Sequence, residues 1–240
     1  MMDRRDFIFY GAGGTGALCA GFLGGHLLSG FLHSKEPLLR PPGALEESEF
    51  LATCIKCGQC VQVCPYYALS LLDIWHGSSL GTPYVDARER GCYLCDLYPC
   101  VLACPSGALS HETTEIKDVH MGMAYVKRID ACLAFLGEEV KAEAVSRMIH
   151  RKLHNDRERA VAERIADSVG NPCSLCADLC PHPSPLEAIA MVQLEGKKRA
   201  PQIRSGCVGC GVCQEVCPAS ESVIEIVPRV GYEELYGGQK

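Results

Sequence analysis

The chain has 240 residues, 48% of them apolar, and a formal net charge of -6. That acidic balance excludes the electrostatic footprint of a nucleic-acid binder. Seventeen cysteines make thiol chemistry the first question, as a disulfide framework, structural zinc or iron-sulfur ligation.

In chain order, Asp3-Arg4-Arg5-Asp6-Phe7-Ile8 comes first, followed by an apolar, glycine-rich stretch from Gly11 to Leu32. An arginine pair just before such a stretch is the layout of a twin-arginine export signal; Phe9 stands where that pattern usually has Lys. The stretch is about 22 residues, long enough to cross a bilayer. No small-x-small cleavage site stands out between His26 and Lys35. Residues 1–33 therefore read as a twin-arginine signal retained as a membrane anchor, with the remainder periplasmic. Cys19 follows Leu18, where lipidation requires a small residue, and reads as a free thiol. His26 and His33 share a helix face and read as interfacial or packing residues rather than haem or quinone ligands. Residues 34–49, with Pro37, Pro41, Pro42 and Gly43, read as an extended linker, and 50–240 as the cysteine-bearing domain.

Motif one is Cys54-Ile-Lys-Cys57-Gly-Gln-Cys60-Val-Gln-Val-Cys64-Pro65. Three thiolates on one tight loop can cap three corners of a [4Fe-4S] cube, while the fourth cysteine points away toward a second cluster, so one motif implies a partner motif. Gly58, like Gly209 and Gly211 later, suits a loop that needs positive φ. The proline after the fourth cysteine fits the first turn of a helix, and Tyr66 to Leu72 reads as a short helix covering the cluster. Gly81 to Asp86 reads as a turn and a short strand.

Motif two is Cys92, Cys95, Cys100, Cys104-Pro105, with two extra residues between its second and third cysteines. Met123 to Ile129 is a strand candidate leading to Cys132. Motif three is Cys132, Cys173, Cys176, Cys180-Pro181, with forty residues where two are usual. Within the insert, 136–171, Val140, Val145, Met148, Ile149 and Leu153 fall on one helical face and Val161, Ile165 and Val169 on another. Asn155 offers a cap and Gly170-Asn171-Pro172 a stop. Two helices of this kind return the chain to its start, so that Cys132 and Cys173 can share a cluster; otherwise Cys132 stands apart and the site has three cysteines. Leu186 to Leu194 reads as helix, and Lys197-Lys198-Arg199 as a solvated basic turn. Motif four is Cys207, Cys210, Cys213, Cys217-Pro218, and Val223 to Val227 is the last strand candidate, with Ile224 and Ile226 on one face.

Sixteen cysteines are thereby placed in four ligand sets of four. A disulfide scaffold leaves an odd thiol. Zinc sites rarely use three evenly spaced cysteines plus Cys-Pro, and no Cys-x-x-Cys precedes a His, so c-type haem has no attachment site. With a contribution of roughly -2 from each cluster and its thiolates, four clusters take the charge to about -14. The fold expected is α+β, two ferredoxin-like 2[4Fe-4S] units with a two-helix insert and an N-terminal membrane helix.

The twin-arginine start, Arg40-Pro-Pro-Gly-Ala-Leu45 leading to Phe50-Leu-Ala-Thr-Cys54, Gly81-Thr-Pro-Tyr-Val-Asp-Ala-Arg88, Cys100-Val-Leu-Ala-Cys104-Pro-Ser-Gly-Ala-Leu109 and motif four together resemble the NapG/MauM ferredoxin-type proteins. The resemblance implies a periplasmic, membrane-associated carrier that takes electrons from a quinol-oxidising membrane partner of the NapH type. It passes them toward a periplasmic reductase, in the NapG case nitrate reductase. A maturation or assembly role for a periplasmic redox enzyme is the alternative. An enzyme that uses a cluster catalytically is disfavoured, since no radical Cys-x-x-x-Cys-x-x-Cys motif, phosphate loop or spare acid-base group accompanies the cysteines. The widened loop of motif two, followed by the strand into Cys132, resembles the inner pair of four-cluster electron-transfer subunits. That implies nested pairing, in which Cys64 completes the Cys207, Cys210 and Cys213 set and Cys217 that of Cys54, Cys57 and Cys60. Cys180 then completes Cys92, Cys95 and Cys100, and Cys104 completes Cys132, Cys173 and Cys176.

Overall fold

Each cysteine motif folds as a loop followed by one helical turn, and the turn places its cysteines the same way every time. The computed structural model describes residues 37–149 and 152–237. The expected membrane anchor, including Cys19, His26 and His33, lies outside the described residues. Among the described residues no helix is long and apolar enough to cross a membrane.

The chain enters through Leu39 and Arg40, which are buried, followed by helix α1, Glu47–Thr53. The buried Arg40 explains why this stretch is not a free linker from Pro37 onward, as 34–49 was expected to be. Its guanidinium chelates Glu47 at 3.0 and 2.5 Å, donates to Thr82 Oγ1 at 2.9 Å and to the Pro83 carbonyl at 2.8 Å, and stacks 4.7 Å from the Phe50 ring. A buried guanidinium persists only when its donors are used this fully. Burial raises the Glu47 carboxyl, and the Arg40 hydrogen bond and charge outweigh it, holding the group below its ordinary value.

Motif one supplies helix α2, Gln59–Gln62. Strands β1, Leu69–Leu71, and β2, Pro83–Val85, follow as an antiparallel pair in register Leu69↔Val85. The helix expected over 66–72 does not form. Tyr67 adopts φ 53° in a turn closed by its N–H on the Cys64 carbonyl at 3.2 Å, which breaks helical propagation and sends Leu69 to Leu71 into the hairpin. Motif two supplies helix α3, Pro99–Leu102. On either side of this half, Ala44 and Leu109 bridge antiparallel, with Leu45 N–H on the Ala108 carbonyl and Ser110 N–H on the Gly43 carbonyl.

The second half repeats the plan. Strand β3, Gly122–Val126, precedes helix α4, Leu133–Leu136; the insert carries α5, Ala142–Met148, and α6, Asp156–Ala166. Motif three's helical turn is α7, Leu175–Asp178, then α8, Pro185–Ala188, and the hairpin β4, Ile189–Gln193, with β5, Arg199–Ile203. Motif four supplies α9, Val212–Glu215; strand β6, Ile224–Pro228, pairs antiparallel with β3, and α10, Tyr232–Tyr236, ends the described chain. Helix was expected over the whole of 186–194. Only its first residues are helical, because a short apolar run fits either state and the partner strand at 199–203 selects extension. The insert is pinned at its neck. Val140 N–H bonds the Asn171 carbonyl at 3.0 Å and Gly170 N–H the Val140 carbonyl at 2.9 Å, so the chain leaves and returns at one point. Both expected helices are present, and the Asn155 side chain caps α6 by accepting the Glu158 N–H at 3.0 Å.

In each half an outer pairing (Ala44 with Leu109; β3 with β6) encloses two motifs that flank an inner hairpin (β1–β2; β4–β5). The one-turn helices α2 and α3 pack together, as do α7 and α9. Motif one is thereby closed onto motif two, and motif three onto motif four. Nested pairing is overturned: each outer pairing ties the chain before one motif to the chain after the next, leaving no path for motif one to face motif four.

Candidate iron-sulfur centres

The third cysteine of every motif is the second residue of its helical turn: Cys60, Cys100, Cys176 and Cys213. The fourth lies two residues past its end: Cys64, Cys104, Cys180 and Cys217. One turn of helix rotates the chain enough to aim these two thiols at different neighbours. The widened loop of motif two keeps the same offset, because its extra residues precede the helix N-cap, Tyr98, which takes φ 41° where Gly58 and Gly211 take 73° and 88°. The prolines at 65, 105, 181 and 218 follow these turns and stop them, rather than opening new helices as expected.

Four cavities result, and each brings the three leading cysteines of one motif together with the fourth cysteine of its partner motif. Cys54, Cys57 and Cys60 meet Cys104; Cys92, Cys95 and Cys100 meet Cys64; Cys132, Cys173 and Cys176 meet Cys217; Cys207, Cys210 and Cys213 meet Cys180. These are called sites one to four after the motif that gives three ligands. Cys132 sits in its cavity beside Cys173 despite the forty residues between them. All sixteen motif cysteines are free thiols. Three thiols of one motif meeting the fourth of another present the four soft sulfur donors that a [4Fe-4S] cubane takes.

The covers of sites two and three are largely apolar. Ala68 and Leu69 cover site two with the stacked Tyr66 and Tyr93 rings, 4.4 Å apart; Leu133, Val223 and Ile224 cover site three. Burial pushes the thiols of Cys60, Cys95 and Cys173 up to about 11 and that of Cys100 to about 12, and raises those of Cys92, Cys176, Cys210 and Cys213 well above their ordinary value. At neutral pH such thiols are protonated, and a coordinating metal ion is what deprotonates them. Backbone N–H groups are aimed at the sulfurs of three fourth-position cysteines: Ala68 on Cys64 at 3.3 Å, Leu109 on Cys104 at 3.4 Å and Val223 on Cys217 at 3.4 Å. For Cys104 burial works upward, but the hydrogen bonds from Leu109, Ser106 and Gly107 prevail and lower it.

The sites form a row. Cys60 of site one and Cys64 of site two lie four residues apart in one motif, as do Cys176 of site three and Cys180 of site four. Between the halves, the Cys92 N–H donates to the Cys210 carbonyl at 2.7 Å, and Leu94 lines site four. Cys213 lines site three as well as site four. The order is one, two, four, three. Close approach of the halves depends on Gly91, where a Cβ would stand 2.4 Å from the Val212 nitrogen.

Sequence reasoning missed the ion pairs beside this junction. Arg90, 9% exposed, meets Glu158 at 3.0 Å and Glu215 at 3.5 Å. Charged residues at the start of α6 read as solvated surface, and Glu158 among them is buried instead.

Residues 53–108 match the family described as the 4Fe-4S dicluster domain and residues 204–221 the 4Fe-4S binding domain. The first match spans motifs one and two together, in agreement with their shared half. The chain is 32% identical to the methylamine utilization ferredoxin-type protein MauM of Paracoccus denitrificans, over 95% of this chain and 88% of the relative. It is 35% identical to the ferredoxin-type protein NapG of Escherichia coli, over 79% and 70%, and 26% identical to the ferredoxin-type protein NapF of Escherichia coli, over 83% and 92%. No solved structure matches the chain.

Proposed function

Because the chain belongs to the ferredoxin-type protein family of MauM and NapG, an iron-sulfur electron-transfer protein and not an enzyme, we propose that it binds four [4Fe-4S] clusters and relays single electrons along the row of sites one, two, four and three. The observation that carries this reading is the set of four cavities in which three cysteines of one motif meet the fourth of its partner motif. A cubane bound in such a cavity supplies one-electron exchange. The cysteines hold it as thiolates; the N–H groups of Ala68, Leu109 and Val223 donate to sulfur and so stabilise added negative charge; the apolar covers exclude water. Sites one and three, at the two ends of the row, exchange electrons with partners.

The upstream partner in this reading is a membrane quinol oxidase of the NapH type, and the downstream one a periplasmic reductase or its carrier, with nitrate reductase the candidate. Support comes from the relatives named NapG and NapF and from the twin-arginine layout of residues 1–33. The test is anaerobic purification of the full chain with iron analysis and EPR of the reduced protein. About sixteen iron atoms, four per site, and stoichiometric co-purification with a membrane quinol oxidase are expected. Zinc in place of iron would sink the relay, and transient binding to an apo-enzyme alone would favour maturation.

A further inference from the structure

The insert between Cys132 and Cys173 packs on the other half as well as on its own, where Arg164 donates to the Asp178 carbonyl. Asn155 Nδ2 donates to the Pro65 carbonyl at 2.7 Å, one residue past Cys64, and the His154 ring lies 4.7 Å from that of Tyr67. Glu158, 2% exposed, accepts the His154 N–H at 2.6 Å and pairs with Arg90 at 3.0 Å. Arg90 reaches on to one oxygen of Glu215 at 3.5 Å, and the other oxygen of Glu215 accepts the Gly91 N–H at 2.9 Å. Arg90 and Gly91 lead into Cys92 of site two; Glu215 lies between Cys213 of site four and Cys217. Segments of the insert, motif two and motif four therefore meet in one buried ion cluster beside the Cys92 N–H to Cys210 carbonyl contact. The placement is built, since Glu158 is the third residue of a capped helix whose Asp156, Arg157 and Arg159 are exposed.

We propose that the insert is a strap that holds the two halves together where sites two and four adjoin, and that Glu158 is its positioning residue, clamping Arg90 against Glu215 and setting the reduction potentials at those two sites. The inference rests on the relay reading and adds to it the residues that govern the step between halves. A buried network of paired charges holds its members in place, and a fixed charge in surroundings of low dielectric acts strongly on a nearby group that changes charge. A carboxylate opposes the arrival of an electron, so its removal makes reduction easier.

The test uses the anaerobic, full-length holo-protein and EPR-monitored redox titration. Glu158→Gln keeps the shape and removes the charge: iron content should stay the same, two of the four potentials should rise and two should not move. The expected change is three- to tenfold in the reduction equilibrium, about 30 to 60 mV at 59 mV per decade for one electron. Glu158→Asp, which keeps the charge, should restore potentials close to the parent's. Glu158→Ala, which releases Arg90, should weaken the magnetic coupling between two reduced centres. Four unmoved potentials in Glu158→Gln, a uniform shift of all four, or an Asp variant that behaves like Gln overturns the proposal. Loss of iron in a Glu158 variant supports it when site two or site four empties and overturns it when site one or site three does. The iron count of the unmodified protein is read first, and a shortfall there counts against the relay itself.

Discussion

The fourth cysteine of each motif decides which sites are paired, and paired serine replacements read it out. Cys64 lies with Cys92, Cys95 and Cys100, so Cys64→Ser and Cys95→Ser damage the same cluster. The double variant is expected to lose about four iron atoms, as each single does, whereas Cys64→Ser with Cys210→Ser is expected to lose about eight. Iron analysis with the opposite pattern would restore nested pairing. The thiols also give a pH dependence whose sign depends on iron. In the metal-free fold, burial raises Cys60, Cys95, Cys100 and Cys173 above their ordinary value of 9.0 to about 11 or 12. The unfolded chain then deprotonates first, so this stabilising contribution is complete below pH about 9 and lost as pH rises toward about 12. With iron bound the thiolate is the native form, and stability is lost as pH falls. Holo-protein is expected to keep its visible absorbance across pH about 8 to 10 and to bleach in acid; bleaching on the alkaline side first would contradict the sulfur ligation.

At the scale of elements, the one-turn helix is the unit that repeats, and what surrounds it is what differs. The hairpin β1–β2 and the hairpin β4–β5 fill equivalent places with unrelated sequences, and the insert is accommodated because its neck closes through Val140, Gly170 and Asn171. The strap's α6 contributes stability through one buried ion pair. Truncating Glu158 to Ala leaves Arg90 buried without its nearest carboxylate, with an expected cost of about 3 kcal/mol. Loss of the neighbouring cap in Asn155→Ala is expected to cost about 1 kcal/mol. Chemical denaturation of the holo-protein under argon measures both, and equal costs would show that Glu158 is no more than a surface residue.

For the whole molecule, two halves of one plan meet along a seam where backbone touches backbone. Gly91 permits that contact, and Gly91→Ala would drive a methyl into the Gly211–Val212 peptide. Overpacking there is expected to destabilise by about 3 kcal/mol and to weaken the coupling between the two inner centres without changing the iron count; unchanged EPR line shapes would show that the halves are not held by this seam. Export is tested at the same scale. Replacing Arg4 and Arg5 by Lys is expected to leave iron-loaded protein in the cytoplasm, measured by fractionation, and undiminished export would remove the twin-arginine reading.

The sequence by itself determined that each motif is a loop closed by one helical turn, because closely spaced cysteines followed by Cys-Pro are local geometry that needs little from the rest of the chain. It also determined the α6 cap at Asn155, the β3 and β6 strands and the family. Only the tertiary structure decided which motifs share sites. That choice is made by the Ala44–Leu109 and β3–β6 pairings, contacts between residues 65 and about 100 positions apart that no spacing within a motif reports. It likewise decided that Leu69 to Leu71 and Ile189 to Gln193 are strands, since short apolar runs take the state their partner strand offers. It decided too that Arg40 and Glu158 are buried, since a charged side chain goes inside only where distant residues supply the partners for its charge.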